Sequence, residues 1–283
     1  MPELPEVETI RRQLDPAISG AVITDCVTFD HPKFTPAHLA VGRRVVSVGR
    51  RGKYLLVHLL PDGAATESAA GNGEHLIVHL GMTGRLHVDA DRRRATGTDD
   101  EPYRRARWTL ADGRSLVFTD VRRFGRIAVV PNGAPTGLAT LDRMGPEPFD
   151  PAFDALALRS GVNASRRAIK TQLLSQQLVA GLGNIYADEA LWAAGVHPAA
   201  RRLTVARAER LAQAIRSVLS AGIEAGGTTL RDYRDANGDS GGFQFQLHCY
   251  GRAGEPCDRC AAELVRTVID ARSTTFCRVC QRR

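Results

Sequence analysis

Most of the chemistry this sequence could perform sits at its two ends. Cys257 and Cys260 form one C-x-x-C pair, Cys277 and Cys280 form a second, and 16 residues separate the pairs. Each pair can occupy a tight turn and aim two thiolates at one ion. Four thiolates closing a tetrahedron suit a single structural zinc ion and leave no position open for catalysis. A redox pair and iron–sulfur ligation are the competing readings. Val265, Thr267 and Ile269 alternate between the pairs, so the segment is expected as a hairpin, with Arg259, Arg266, Arg272 and Arg278 placed to meet phosphate. The metal would fold a stretch too short to build a core of its own. The two remaining thiols, Cys26 and Cys249, lie in strand-like runs and are expected as buried packing residues.

At the front of the chain Met1 precedes a small residue, Pro2, so loss of the methionine is expected to leave a free proline amine. An α-amine titrates near pH 8, about two units below lysine, so roughly a tenth of it is neutral at pH 7. A neutral secondary amine can attack a sugar carbon and form an iminium ion, which serves as an electron sink. A helix starting at Pro5 would bring its positive end close and favour the neutral amine further. Glu3 and Glu6 add carboxylates for proton transfer.

Charge bounds the partner. The 283 residues carry a net +7 and a pI of about 9.4, a balance that fits a polyanion such as nucleic acid. Lys33, Lys53 and Lys170 are the only lysines. A compositional bias towards arginine is the plain explanation. The other reading is that, because arginine grips phosphate with a fixed fork and keeps its proton, a retained lysine answers a need for a compact or titratable amine. Apolar residues make up 43% and charged residues 24% of the chain, as in ordinary globular proteins. No apolar run approaches the ~18 residues of a membrane span. No charged-then-apolar leader is visible, so the expected location is the cytoplasm, with no membrane partner.

The elements that must position these groups follow from periodicity. Val7, Ile10 and Leu14 mark one face of the first helix. Short β-branched and aromatic runs follow at Ala21–Val27, Val45–Val48, Tyr54–Leu59, Leu76–Leu80, Trp108–Leu110, Leu116–Phe118 and Ile127–Val130, separated by turns such as Asp62-Gly63 and Asp112-Gly113. This pattern predicts a β-sandwich or barrel. Pro61–Glu74 and Asp89–Pro102 read as mobile loops, and Asn132–Pro151 as a linker. Ile169, Leu173, Leu174 and Leu178 then form a helical face that Gly181-Leu182-Gly183-Asn184 interrupts. Asn184 is the expected N-cap of a second helix ending at Gly195. Thr204–Glu224 is a third helix. Arg231–Gly242 is polar and glycine-rich and reads as a flexible loop. The fold class is therefore α+β. Its expected parts are a β-sandwich domain flanked by helices at 1–131, a linker at 132–151, a helical domain at 152–242 and a zinc ribbon at 243–283.

Met1-Pro-Glu-Leu-Pro-Glu-Val-Glu-Thr9 resembles the start of the formamidopyrimidine-DNA glycosylase family, the bacterial 8-oxoguanine glycosylases. Arg51-Gly-Lys-Tyr-Leu55, His79-Leu-Gly-Met-Thr-Gly84, Asp120-Val-Arg-Arg-Phe-Gly125, Gly181-Leu-Gly-Asn-Ile-Tyr-Ala-Asp-Glu189, Gly226-Gly-Thr-Thr229 and Tyr250-Gly-Arg252 follow in the family's order, ahead of the four cysteines. The resemblance spans nearly the whole chain. It implies a monomeric base-excision-repair glycosylase/AP lyase acting on oxidised purines in double-stranded DNA, with a helix–two-turn–helix motif and DNA in a basic cleft between the domains. It makes Pro2 the nucleophile at C1′ and Glu3 the acid/base, with Glu6 a further candidate. Lys53 would reach the damaged nucleotide or its phosphate, and Arg272 would grip phosphate beside it. Lys170 and Asn184 would hold phosphate, and Tyr250 belongs to the same DNA-contacting set. Met82, Arg122 and Phe124 would enter the duplex as the damaged base is extruded. The Arg231–Gly242 segment would close over that base. Two other functions stay open. One is an endonuclease VIII-type enzyme for oxidised pyrimidines, and the other is a zinc-finger DNA-binding protein without chemistry. Tyr103-Arg-Arg-Ala-Arg107, His248-Cys249 and the long Pro61–Glu74 loop depart from the family pattern and bear on lesion preference.

Overall fold

The computed structural model describes residues 1–64, 73–90 and 103–282. The bodies of the two expected loops, Pro61–Glu74 and Asp89–Pro102, lie outside the described residues. The chain forms two compact units that do not follow sequence order. The first holds 1–2, 6–142 and 226–241, and the second holds 3–5, 143–225 and 242–283. The glycine-rich segment expected with the helical domain thus belongs to the first unit, and the four-cysteine segment belongs to the second.

In the first unit, helix α1 (Leu4–Ile18) precedes eight strands: β1 (Ile23–Thr28), β2 (Arg43–Arg51), β3 (Tyr54–Pro61), β4 (Glu74–His79), β5 (Gly84–Asp89), β6 (Arg104–Leu110), β7 (Ser115–Asp120) and β8 (Arg126–Pro131). They make two antiparallel four-stranded sheets, ordered β1-β6-β7-β5 and β2-β3-β4-β8. Alternating side chains of both sheets, among them Val48, Val57, Leu76, Leu86, Trp108 and Phe118, meet in one core, and Val7, Ile10, Leu14 and Ile18 of α1 join it. These four helix residues are 0–1% exposed, and burying each such side chain contributes about 1.5–3 kcal/mol. The one polar atom of Trp108, its indole N–H, donates to Ala37 O at 2.9 Å. Strand β5 is absent from the sequence reading. Of its side chains only Leu86 is fully buried, so Arg85 and His87 hide the alternation.

The second unit is helical. A single turn, α2 (Ala139–Asp142), closes the first unit; then come α3 (Ala155–Asn163), α4 (Ile169–Leu174), α5 (Asn184–Ala194) and α6 (Val205–Glu224). Helix α3 falls in a stretch with no assigned element and is capped by Asp154, whose side chain accepts from Ala157 N at 2.7 Å. The expected face through Leu178 is cut short, because α4 ends at Leu174 and Gln176 takes a φ of 66°. The Gln176 side chain then bridges Leu182 O and Gly181 N, fixing the turn between α4 and α5. Helix α5 is buried on nearly every side. Beyond α6, β9 (Leu264–Ile269) and β10 (Arg272–Cys277) form the expected hairpin. Its two-residue turn, Asp270-Ala271, has positive φ at both positions, the geometry that matches strand twist.

Candidate functional site

Strand register brings four of the expected residues to one end of the sandwich. Tyr54 pairs with His79, and His79 pairs with Arg126. The β2–β3 turn carrying Lys53, the β4–β5 loop carrying Met82 and the β7–β8 loop carrying Arg122 and Phe124 therefore leave the same edge. Gly52 supplies the positive φ of the tight β2–β3 turn. Gly81 also has positive φ, and a Cβ there would lie 2.5 Å from Gly125 N. That close approach lets the two loops pack. Buried Asp120 ties them together, accepting from Thr83 Oγ1 at 2.6 Å and from Gly125 N at 2.7 Å. The same hydroxyl accepts from Arg122 N at 3.0 Å.

This knot holds an unusual surface. Met82 is 39% and Phe124 49% exposed, and the Arg122 guanidinium lies 4.8 Å from the Phe124 ring centroid. Large apolar side chains held out in solvent on a rigid base suit insertion between bases. Lys53 differs, being only 6% exposed. Burial, followed by the charges of Lys53 and Arg126, pulls His79 down to about 4, and its neutral Nδ1 accepts from Gly81 N at 3.2 Å.

Glu3, just ahead of α1, and Glu6 and Glu8 within it have separate partners. Glu3, 2% exposed, takes the backbone N–H groups at the start of α5: Gly183 N, Ile185 N at 2.9 Å and Tyr186 N at 3.4 Å. A helix N-terminus presents unsatisfied N–H donors and a positive dipole end, so it both fixes and stabilises a carboxylate. Glu3 thus caps a helix 180 residues away in sequence. Asn184 is not the N-cap: Gly183 is, without a side-chain cap. The Asn184 amide instead donates to Ser273 O at 3.0 Å on the zinc-ribbon hairpin, and its Oδ1 is buried without a partner among the described residues.

Glu6 has a different role from the one expected. It accepts from Thr228 N at 2.7 Å, and Gly227 lies so close that a Cβ would meet its side chain. Gln13 holds Asp235 at 2.7 Å and Ala236 N at 2.9 Å. The segment expected as a flexible loop is therefore docked along α1. Glu8, in turn, gathers Arg11, Arg12 and Arg50. Burial raises its carboxyl, but the three guanidinium groups outweigh that and hold it below the ordinary value.

Lys170, expected at phosphate, is fully buried. Its ammonium is ringed by Ser273 O and Thr274 Oγ1, both at 2.9 Å, and by Asp188 Oδ1 at 2.6 Å. All three donor directions are taken, which leaves none for a phosphate. Burial pushes Asp188 up to about 6 and Lys170 down, each opposed by the other's charge. Removing one partner from a buried pair leaves the other uncompensated, at a cost of about 3–5 kcal/mol. Lys170→Ala should melt far below the parent, and Lys170→Met combined with Asp188→Leu should recover most of the loss. A Lys170→Ala variant with unchanged melting temperature and weakened DNA binding would restore the phosphate role.

Arg272 stands at the head of β10, paired with Ile269 and exposed, and its carbonyl accepts from Thr274 Oγ1 at 3.1 Å. Tyr250 is half-buried; its backbone N–H donates to Glu189 at 2.6 Å, as do those of His248 and Cys249 at 3.0 and 2.8 Å. The sulfur atoms of Cys257, Cys260, Cys277 and Cys280 all lie within 4.8 Å of one another, a cluster able to hold a metal ion. N–H groups of Trp192 and Cys280 point at Cys257 and Cys277, both at 3.4 Å, and favour charged sulfur. Cys249 is buried, as expected, with burial raising its thiol. Cys26 is partly buried, its thiol pushed up to about 12.

Comparison with known proteins finds three family segments along the chain. Residues 1–127 match the formamidopyrimidine-DNA glycosylase N-terminal domain, 144–234 its H2TH domain, and 254–283 the zinc finger found in FPG and IleRS. The formamidopyrimidine-DNA glycosylase of Deinococcus radiodurans is 43% identical over 99% of this chain and 97% of its own length. The chain belongs to the formamidopyrimidine-DNA glycosylase family. The Thermus thermophilus MutM (Fpg) crystal structure superposes on this glycosylase with a TM-score of 0.85 at 42% identity, covering 99% of this chain and 98% of that one. A Lactococcus lactis Fpg variant bound to Fapy-dG containing DNA does so at 0.85 and 34% identity, each chain covered completely.

Several residues that build the glycosylase's site carry no assigned role in the sequence reading. Asp120 and Thr83 lock the β4–β5 and β7–β8 loops together. Glu189 and Asp188 reach from α5 to the zinc-ribbon segment, the latter accepting from Thr275 N at 3.0 Å. Both acids lie inside the Gly181–Glu189 motif, and two adjacent carboxylates on a helix otherwise rich in apolar residues were the available signal.

Proposed function

We propose that Pro2 is the nucleophile of this glycosylase and Glu3 its proton-transfer partner. The chain is a base-excision-repair enzyme with glycosylase and AP lyase activities toward oxidised purines in duplex DNA. With Met1 removed, the Pro2 nitrogen bonds to C1′ of the damaged nucleotide. The C1′–base bond breaks with its electron pair on the base, which takes up a proton. The sugar ring opens with a proton placed on O4′, and loss of the amine proton leaves the iminium ion. Removal of the C2′ proton then expels the 3′ phosphate, and a second elimination expels the 5′ phosphate.

The observation behind this reading is the placement of Glu3. Its carboxylate is buried and held by α5 N–H groups, and its backbone follows Pro2 directly. Such fixation keeps an acid–base group in one geometry through successive proton transfers. Lys53 and Arg272 serve the damaged nucleotide and its phosphate in this scheme. Met82 and Phe124 wedge the stack, Arg122 meets the orphaned base, and Asn184 and Tyr250 support the DNA backbone. Glu6 anchors the Gly226–Gly241 segment.

The four thiols are proposed to hold one structural zinc ion. Zn–S bonds of ~2.3 Å set the edge of a tetrahedron at about 3.8 Å, and Cys260 Sγ and Cys277 Sγ stand 3.5 Å apart. An all-thiolate set leaves no open position, so zinc supplies folding rather than catalysis.

Incision of matched duplexes tests the substrate class. A duplex carrying 8-oxoguanine should be cut at least about tenfold faster than one carrying an oxidised pyrimidine, with phosphate left on both sides of the gap. Preference for the pyrimidine would move the enzyme to the endonuclease VIII type. Tight binding without incision would make it a DNA-binding protein.

A further inference from the structure

Within the second unit an open groove of about 1620 Å³ is lined by Arg159, Arg166, Arg167, Arg201, Arg202 and Arg207. The acidic residue on its lining is Asp270, whose carboxylate already accepts from the Thr171 hydroxyl. Arg159, Arg166, Arg167 and Arg201 are exposed and make no ion pair among the described residues. None of these arginines has a part in the scheme above.

The groove is framed rather than loose. Asn163 at the end of α3 clasps Leu203 twice, through Leu203 N at 2.8 Å and Leu203 O at 3.1 Å. Its far edge is Val268–Asp270 on β9 and the hairpin turn, two residues before Arg272. Six like charges held together repel one another and weaken folding unless a polyanion neutralises them. Forked guanidinium groups along a trough match the regular spacing of backbone phosphates.

We infer that this groove is a second track for the DNA backbone. It continues from the Arg272 hairpin and holds duplex flanking the damaged site, without touching the reacting nucleotide. The inference rests on the proposed DNA-repair reading. It assigns these arginines to affinity on long DNA, whatever its sequence or damage, and not to chemistry.

The test compares the intact protein with a variant in which Arg159, Arg166, Arg167 and Arg201 are all alanine, and with the matching all-lysine variant. Affinity is measured against salt on lesion duplexes of about 10 and about 30 base pairs. Each lost phosphate contact lowers the slope of log K against log salt by ~0.9. The alanine variant should therefore lose about 3–4 from the slope on the longer duplex. It should match the parent on the shorter one and form borohydride-trapped adduct at the parent's rate under saturating conditions. The lysine variant should keep the slope, since point charges still release counterions. An unchanged slope on long DNA would overturn the inference. So would equal weakening on the short duplex, because the arginines would then belong to the lesion contact. Failure of the parent itself to trap DNA would instead overturn the catalytic reading, and the slopes would still decide the groove.

Discussion

Glu3→Gln should turn over damaged duplex about 10²–10⁴-fold more slowly than the parent, the range expected when a general acid–base group is lost, and should keep more stability than Glu3→Ala. The carboxylate has two duties. It satisfies three N–H donors at the head of α5, and in the proposed mechanism it moves protons. The glutamine amide keeps one acceptor oxygen for the helix but cannot take up a proton and return it. Glu3→Ala removes both duties. The buried donors it strands cost about 1–3 kcal/mol each, so this variant should lose stability as well as activity. Thermal melting with single-turnover incision separates the two effects. Equal loss of stability in both variants, with activity in Glu3→Gln at parental level, would reduce Glu3 to a helix cap.

Stripping the proposed zinc ion, or replacing Cys260 by Ser, should have the second largest effect. Structural zinc contributes an apparent ~10–16 kcal/mol in small fingers, as much as a whole domain's stability of about 5–15 kcal/mol. The sulfur cluster packs with Trp192, Cys249 and Leu264, and the Trp192 ring is stacked on His248 at 4.8 Å and covered by Arg259 at 4.2 Å. Opening the cluster should expose this tryptophan and release the hairpin that presents Arg272. We expect altered tryptophan fluorescence and duplex affinity weakened about 10–100-fold, the worth of one or two charge-assisted contacts. Zinc content measured alongside should fall with affinity. Full affinity in protein shown to lack metal would contradict this part of the account.

Elements governed by local pattern were legible from residue order. The α1 face, most strands, the Gly195 stop and the cysteine hairpin all follow from spacing or turn chemistry. Strand β5 was hidden because Arg85 and His87 flank its single fully buried side chain. Contacts made across the fold left no local trace. Nothing near Glu3 announces the N–H groups of Gly183 and Ile185, and nothing near Asn184 reveals that another residue caps its helix. Lys170 stood out as a rare lysine, but its residue type could not distinguish a phosphate from a buried Asp188. The Arg231–Gly242 composition suggested freedom, whereas Gln13 and Glu6, more than 200 residues earlier, hold that stretch along α1. Residue identities were therefore easier to read than partners.

Reduction with borohydride during reaction on 8-oxoguanine duplex, followed by mass mapping of the adduct, tests the nucleophile directly. The account predicts one covalent DNA adduct, on the N-terminal peptide at the Pro2 nitrogen, in protein that has lost Met1. An adduct at Lys53, or full-rate excision by protein that retains Met1 or carries a blocked amine, would contradict it.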